Sequence, residues 1–117
     1  MSYSLGIDLG TTFTAAAVYE NGQTRIIDLS DQSATMPSII YLDESGSYLV
    51  GDSAMRRAAT EPARAAQQFK RRFGDTAPIF IGGAPLSADA LTAELLKSVI
   101  HLVSERQGGP PDAIALT

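Results

Sequence analysis

Leu5, Ile7 and Leu9 alternate with Gly6 and Asp8, a period of two that predicts a half-buried strand. Residues 13–19 read as a second strand. Asn21-Gly22 follows, a strong signal for a type I′ hairpin turn, and a third strand is expected over residues 24–29. Together these make an antiparallel meander. Residues 30–36 are polar and read as a loop, and Pro37 marks a change of structure. Short strands are expected at 38–42 and 48–50, around the turn-rich string Asp43-Glu44-Ser45-Gly46-Ser47. Asp52 or Ser53 is placed to cap a helix reaching about Ala59. Pro62 suits the first turn of a further helix, ended by Gly74. Residues 79–81 read as a strand closed by Gly82-Gly83. Ser87 then caps the clearest helix of the chain, with Leu91, Leu95, Val99, Leu102 and Val103 as its apolar stripe. Glu94, Lys97, His101 and Glu105 fall on its wet side, which explains His101 without a ligand role. Gly108-Gly109-Pro110-Pro111 ends that helix, and residues 112–117 read as the start of a buried strand. A chain stopping inside such a strand is expected to be part of a longer one.

Composition narrows the classes. The chain has 117 residues, 44% hydrophobic content and no cysteine, which implies one ordinary globular domain or part of one. Disulfides and thiolate metal sites are excluded, and a reducing, cytoplasmic location is expected. No apolar run approaches a membrane span, so no membrane partner is expected. The net charge of −4 argues against general nucleic-acid binding. Six of the nine basic residues nevertheless fall between Arg56 and Arg72. Most of them read as a solvated face, leaving one or two to meet an anionic ligand.

The string GIDLGTT at residues 6–12 carries the most chemistry. Asp8 ends a strand, where a carboxylate can face a cation but not a phosphate. Gly10 permits close backbone approach and unusual φ. Thr11 and Thr12 add amide and hydroxyl donors for phosphate oxygens. One hairpin tip can therefore serve a magnesium ion and the phosphates it bridges. No Gly-Lys-Ser/Thr ending occurs, and a strand follows rather than a helix, so this is not a Walker-type loop. A second candidate lies in QQFKRRFG at 67–74. On the expected helix, Ala66, Phe69 and Phe73 share a face, and Lys70 stands at its border, where its amine reaches a cleft.

Taken in order, GIDLGTT at 6–12, MPSIIYL at 36–42, LVGDSAMRRAATEP at 49–62, FKRRFG at 69–74 and AIALT at 113–117 resemble the N-terminal part of the seventy-kilodalton heat-shock chaperones, the DnaK-type family. The resemblance covers essentially the whole chain. It implies an α/β protein of the ribonuclease H-like, actin-like ATPase fold, N-terminal portion only. Residues 1–38 and 112–117 then form a partial ribonuclease H-like subdomain, and residues 39–111 an inserted α+β subdomain over the nucleotide cleft. The last strand returns parallel to the first through a long crossover. The resemblance further implies ATP/ADP and Mg2+ as cofactors. Asp8 addresses the metal through its water shell, Gly10, Thr11, Thr12 and Phe13 lie at the nucleotide, and Lys70 stands near the γ-phosphate and the attacking water. Unfolded client peptides and co-chaperones are implied partners, through regions outside these residues. The full-length protein is expected to hydrolyse ATP to ADP and phosphate in protein folding and the stress response. These residues alone are expected to be inactive and to self-associate through the 112–117 edge.

Phe13-Thr14 stands where the family usually has Asn or Tyr followed by Ser. That departure motivates an alternative, a nucleotide-sensing or scaffolding relative without efficient turnover. A small-molecule kinase of the actin-like superfamily is a further alternative, and residues 37–74 speak against it.

Overall fold

The computed structural model describes residues 2–30 and 33–117. Met1, which opens the first expected subdomain, and Asp31 and Gln32, within the expected 30–36 loop, lie outside them. The expected meander is present: β1 (Ser4–Leu9), β2 (Phe13–Glu20) and β3 (Gln23–Ile27) pair antiparallel. Asn21 (φ 54°) and Gly22 (φ 77°) are both left-handed, as a type I′ turn requires. β3 stops two residues earlier than the sequence suggests. The expected 30–36 loop also holds the start of a strand, β4 (Thr35–Pro37), which pairs with β2 at Phe13, Thr14 and Ala15. Pro37 closes that strand, a position where a missing N–H is tolerated.

β5 (Ile39–Leu42) and β6 (Tyr48–Val50) form the expected hairpin. Helix α1 (Asp52–Ala58) follows, but neither Asp52 nor Ser53 caps it. Its N-cap is Gly51 at φ 74°, and the Ser53 hydroxyl donates instead to the Val50 carbonyl at 3.3 Å. The helix expected from Pro62 to Gly74 is absent. Pro62–Arg64 forms one 3₁₀ turn, β7 (Ala65–Gln67) pairs with β5, and Phe69–Arg72 forms a second 3₁₀ turn. Pairing with β5 takes the backbone bonds a helix would need, and Gln68 at φ 59° separates strand from turn. Ala66, Phe69 and Phe73 consequently share no helical face: Phe69 is buried and Phe73 is exposed.

β8 (Ile79–Ile81) turns through Gly82-Gly83 into β9 (Ala84–Leu86), a strand with no signal beyond its short apolar string. Helix α2 (Ala88–Gln107) is the one expected, with the Ser87 hydroxyl accepting from the Ala90 amide at 3.0 Å. Its Leu91, Leu95, Val99 and Val103 are buried in one core with Leu5, Ile7, Leu9, Val18 and Ile27 of the first sheet. Ile40 and Phe69 join that core, whereas Ile39, Tyr41 and Ala54 form a smaller cluster under α1. The far end of α2 is tied to the meander, Gln107 to Arg25 at 2.9 Å and Arg106 to the Asp28 carbonyl. No helix among the described residues is long and apolar enough to cross a membrane.

β10 (Ala113–Leu116) lies parallel to β1, from Ser4↔Ala113 to Ile7↔Leu116, so the long crossover is observed. The strand is not buried, however. It is the edge of the sheet order β10-β1-β2-β3, and all four of its residues are exposed. None of its side chains joins the core, so apolar composition alone does not bury a strand.

Candidate functional site

Strand alternation sorts the meander into two faces. Leu5, Ile7, Leu9, Ala16 and Val18 point to α2 and the core. Gly6 and Asp8 point the other way, opposite Ala17 and Ala15, and Ile26 stands beside Ala17. This second face is open. It forms a groove of about 420 Å³ lined by Gly6, Asp8, Ala15, Ala17, Ile26, Thr35, Ala115 and Thr117. The small side chains leave the backbone floor uncovered, and among the described residues Asp8 is the only charged group in the lining. The lining stops short of Gly10, Thr11 and Thr12, which form the rim where β1 turns into β2.

The turn is tightly built. A Cβ on Gly10 would lie 2.3 Å from the Phe13 carbonyl oxygen, so only glycine fits. Its φ is not positive; close approach alone, not unusual φ, is what the position demands. Two contacts from Ser38 brace the turn from behind. The Ser38 amide donates to the Thr12 carbonyl at 2.8 Å, and the Ser38 hydroxyl donates to the Gly10 carbonyl at 2.9 Å. The buried Thr14 hydroxyl stands 2.8 Å from that of Ser38. With both carbonyls held inward, no acceptor among the described residues takes the N–H of Thr11 or Thr12. Two amide donors are thus left without an acceptor among the described residues at a glycine-supported turn, an arrangement suited to an anion.

Asp8 is exposed beside this turn. Thr117 continues the β10 pairing, its carbonyl accepting from the Leu9 amide at 3.1 Å, and its hydroxyl donates to Asp8 Oδ1 at 3.4 Å. A contact that long yields readily to a better ligand. Among the described residues no group of three histidines, cysteines or carboxylates is placed to hold a metal. A lone carboxylate does fit a hydrated magnesium ion that phosphate oxygens also bind. Phe13 shares the open face and is 56% exposed.

Asp8, Gly10, Thr11, Thr12 and Phe13 are therefore brought together by one hairpin. Lys70 is not tied to them. It sits on the 3₁₀ turn Phe69–Arg72, which packs against α2, and among the described residues it has no ion-pair partner. Three of its neighbours in the basic cluster are occupied in structural roles. Arg57 lies over the Tyr41 ring at 4.8 Å, Arg64 donates to the Leu42 carbonyl at 2.7 Å, and Arg72 donates to the Ala77 carbonyl at 3.1 Å.

Sequence reasoning missed Ser38 and Thr14. The available signal was Thr14 itself, a hydroxyl at an inward position of β2 that needs a buried partner. A family model described as Hsp70 protein matches residues 4–80, about two thirds of the chain, and that span takes in the turn, Ser38 and Lys70.

Proposed function

Since the chain belongs to the Hsp70 protein family, a family of chaperones that bind ATP and magnesium, we propose that it is the N-terminal portion of an ATP-binding and ATP-hydrolysing molecular chaperone. The observation that carries this reading is the turn at Gly10–Thr12, with two amide donors that have no acceptor among the described residues, beside an exposed carboxylate. The parallel return of β10 onto β1 supports a ribonuclease H-like, actin-like assignment for the first sheet. In that assignment residues 1–38 and 112–117 carry the phosphate side of the cleft, and residues 39–111 form the subdomain above it.

On this reading the N–H groups of Thr11 and Thr12 hold phosphate oxygens, and Gly10 lets the backbone close around them. Asp8 orients the water shell of a magnesium ion, which when bound neutralises charge on the phosphates. Lys70, free of ion pairs among the described residues, supplies a mobile positive charge for the γ-phosphate and the attacking water once the cleft closes. Client peptides and co-chaperones would meet other regions of the full-length protein, in the cytoplasm.

Asp8→Asn tests the reading. ATP titrations with and without magnesium, followed by shifts of the Thr11 and Thr12 amide resonances, should show magnesium dependence in the wild type and its loss in the variant. Asp8 is exposed and outside the core, so the variant should fold normally. Equal magnesium dependence in both proteins would overturn the assignment of Asp8.

A further inference from the structure

We infer that Ser38 is a positioning residue for the phosphate turn, oriented by Thr14 and carried by the start of the second sheet. The inference rests on the nucleotide reading above and adds a mechanism that sets the turn's shape. The hydrogen-bond directions follow from chemistry alone. The Gly10 carbonyl can only accept, so the Ser38 hydroxyl must donate to it at 2.9 Å. That hydroxyl has a single proton, so its 2.8 Å contact with Thr14 must have Thr14 as donor. A directed relay results: Thr14 donates to Ser38, and Ser38 donates to Gly10. The Ser38 amide adds the contact to the Thr12 carbonyl at 2.8 Å.

Holding the carbonyls of Gly10 and Thr12 fixes the peptide plane before Thr11 and the one after Thr12, and so brackets the turn at both ends. The N–H of Thr11 lies in the plane of the Gly10 carbonyl, because a peptide unit is rigid. Its direction is therefore set by Ser38. Thr14 is fully buried and Ser38 is 4% exposed, so water does not compete for either hydroxyl. Ser38 also sits between β4, which ends at Pro37 in the first sheet, and β5, which begins at Ile39 in the second. A displacement of the second sheet pulls directly on the residue that holds the turn.

Thr14→Val keeps the shape of the buried side chain and removes only the donor, whereas Thr14→Ser keeps the donor and loses a methyl group. In the complete 117-residue chain, backbone order parameters of Thr11 and Thr12 should fall from the rigid range near 0.85 to below about 0.6 in Thr14→Val and recover in Thr14→Ser. Exchange of the Ser38 amide should rise at least ~10-fold in Thr14→Val, as expected when a buried bond opens locally, while α2 amides stay unchanged. Affinity for magnesium tripolyphosphate, used as the probe, should fall by about 10-fold in Thr14→Val and recover in Thr14→Ser, the size of effect one hydrogen bond carries. Unchanged order parameters in Thr14→Val, an equal loss in Thr14→Ser, or general opening of α2 would overturn the inference. A wild-type chain that ignores the probe would overturn the nucleotide reading, and the order parameters would still decide the role of Ser38. Should Thr14→Val not fold, the wild-type Thr14 hydroxyl proton decides: a slowly exchanging resonance close to Ser38 supports the relay, and rapid exchange refutes it.

Discussion

Of the ten glycines, Gly10 has the least room for a side chain. An added methyl group meets a backbone oxygen rather than a yielding side chain, so Gly10→Ala must push the β1–β2 turn apart. A destabilisation of about 1–3 kcal/mol is expected from such overpacking. Thermal unfolding should register it as a drop of about 4–8 °C per kcal/mol in a domain of this size. Lys70 stands at the other extreme. Partly exposed and unpaired among the described residues, it should be replaceable by alanine within about 0.5 kcal/mol of stability. In the full-length protein Lys70→Ala is expected to slow single-turnover hydrolysis by about 10²–10³-fold with nucleotide binding retained, the range for one lost electrostatic stabiliser. An unchanged hydrolysis rate would remove Lys70 from the chemistry.

Elements that depend on local signals were the legible ones. The β1–β2–β3 meander rests on alternation and Asn21-Gly22, and α2 on Ser87 and an apolar stripe; both are present, β3 with an earlier end. Ser87→Ala should lower stability by about 1 kcal/mol, measurable by denaturant unfolding. Residues 62–73 were illegible for the opposite reason. Pro62 and the spacing of Phe69 and Phe73 speak for a helix, but the partner that decides, β5, lies more than twenty residues away. Tertiary pairing outranked propensity there, and the helical argument for Lys70 fell with it. The same holds at the site. GIDLGTT identifies the turn in the sequence, whereas the brace from Ser38 needs contacts across 24 and 28 residues. The β5–β6 turn offers a pH test. Asp43 accepts from the Ser45 hydroxyl at 2.6 Å and from the amides of Ser45 and Ser47 at 3.0 Å. The Ser45 hydroxyl bond first, then the Ser47 amide, hold its carboxyl below the ordinary value of 3.8. A lowered folded value means the turn keeps its full stabilisation above the ordinary value and loses it as pH falls through the lowered one. The Ser45 and Ser47 amide resonances should move together in that lower window, and not above it.

At the scale of the whole molecule, the first sheet has one dressed face and one bare one. α2 covers Leu5, Ile7 and Leu9, while Gly6, Ala15, Ala17 and Ile26 remain open, and β10 leaves its outer edge unpaired among the described residues. Ile114 and Leu116 lie on that edge at 44% and 54% exposure, with no lysine or proline inside the strand to discourage pairing. The 12.3 kDa chain is therefore expected to self-associate with rising concentration, and Ile114→Lys to restore the monomer in sedimentation equilibrium. It should bind ATP weakly and show negligible turnover, because an open, wet site weakens each electrostatic contact. Micromolar affinity by calorimetry would contradict this. The pairing of Ser4 with Ala113 also has a consequence in time. The β1–β2 hairpin is local and can close as soon as about twenty residues leave the ribosome, but the strand completing the floor beside Asp8, Ala113–Leu116, emerges only long after it. At about 5–20 residues per second, the nascent site waits roughly 5–20 s with the inner edge of β1 bare. A protein of a chaperone family thus passes, during its own synthesis, through a state with the kind of exposed strand that chaperones exist to shield.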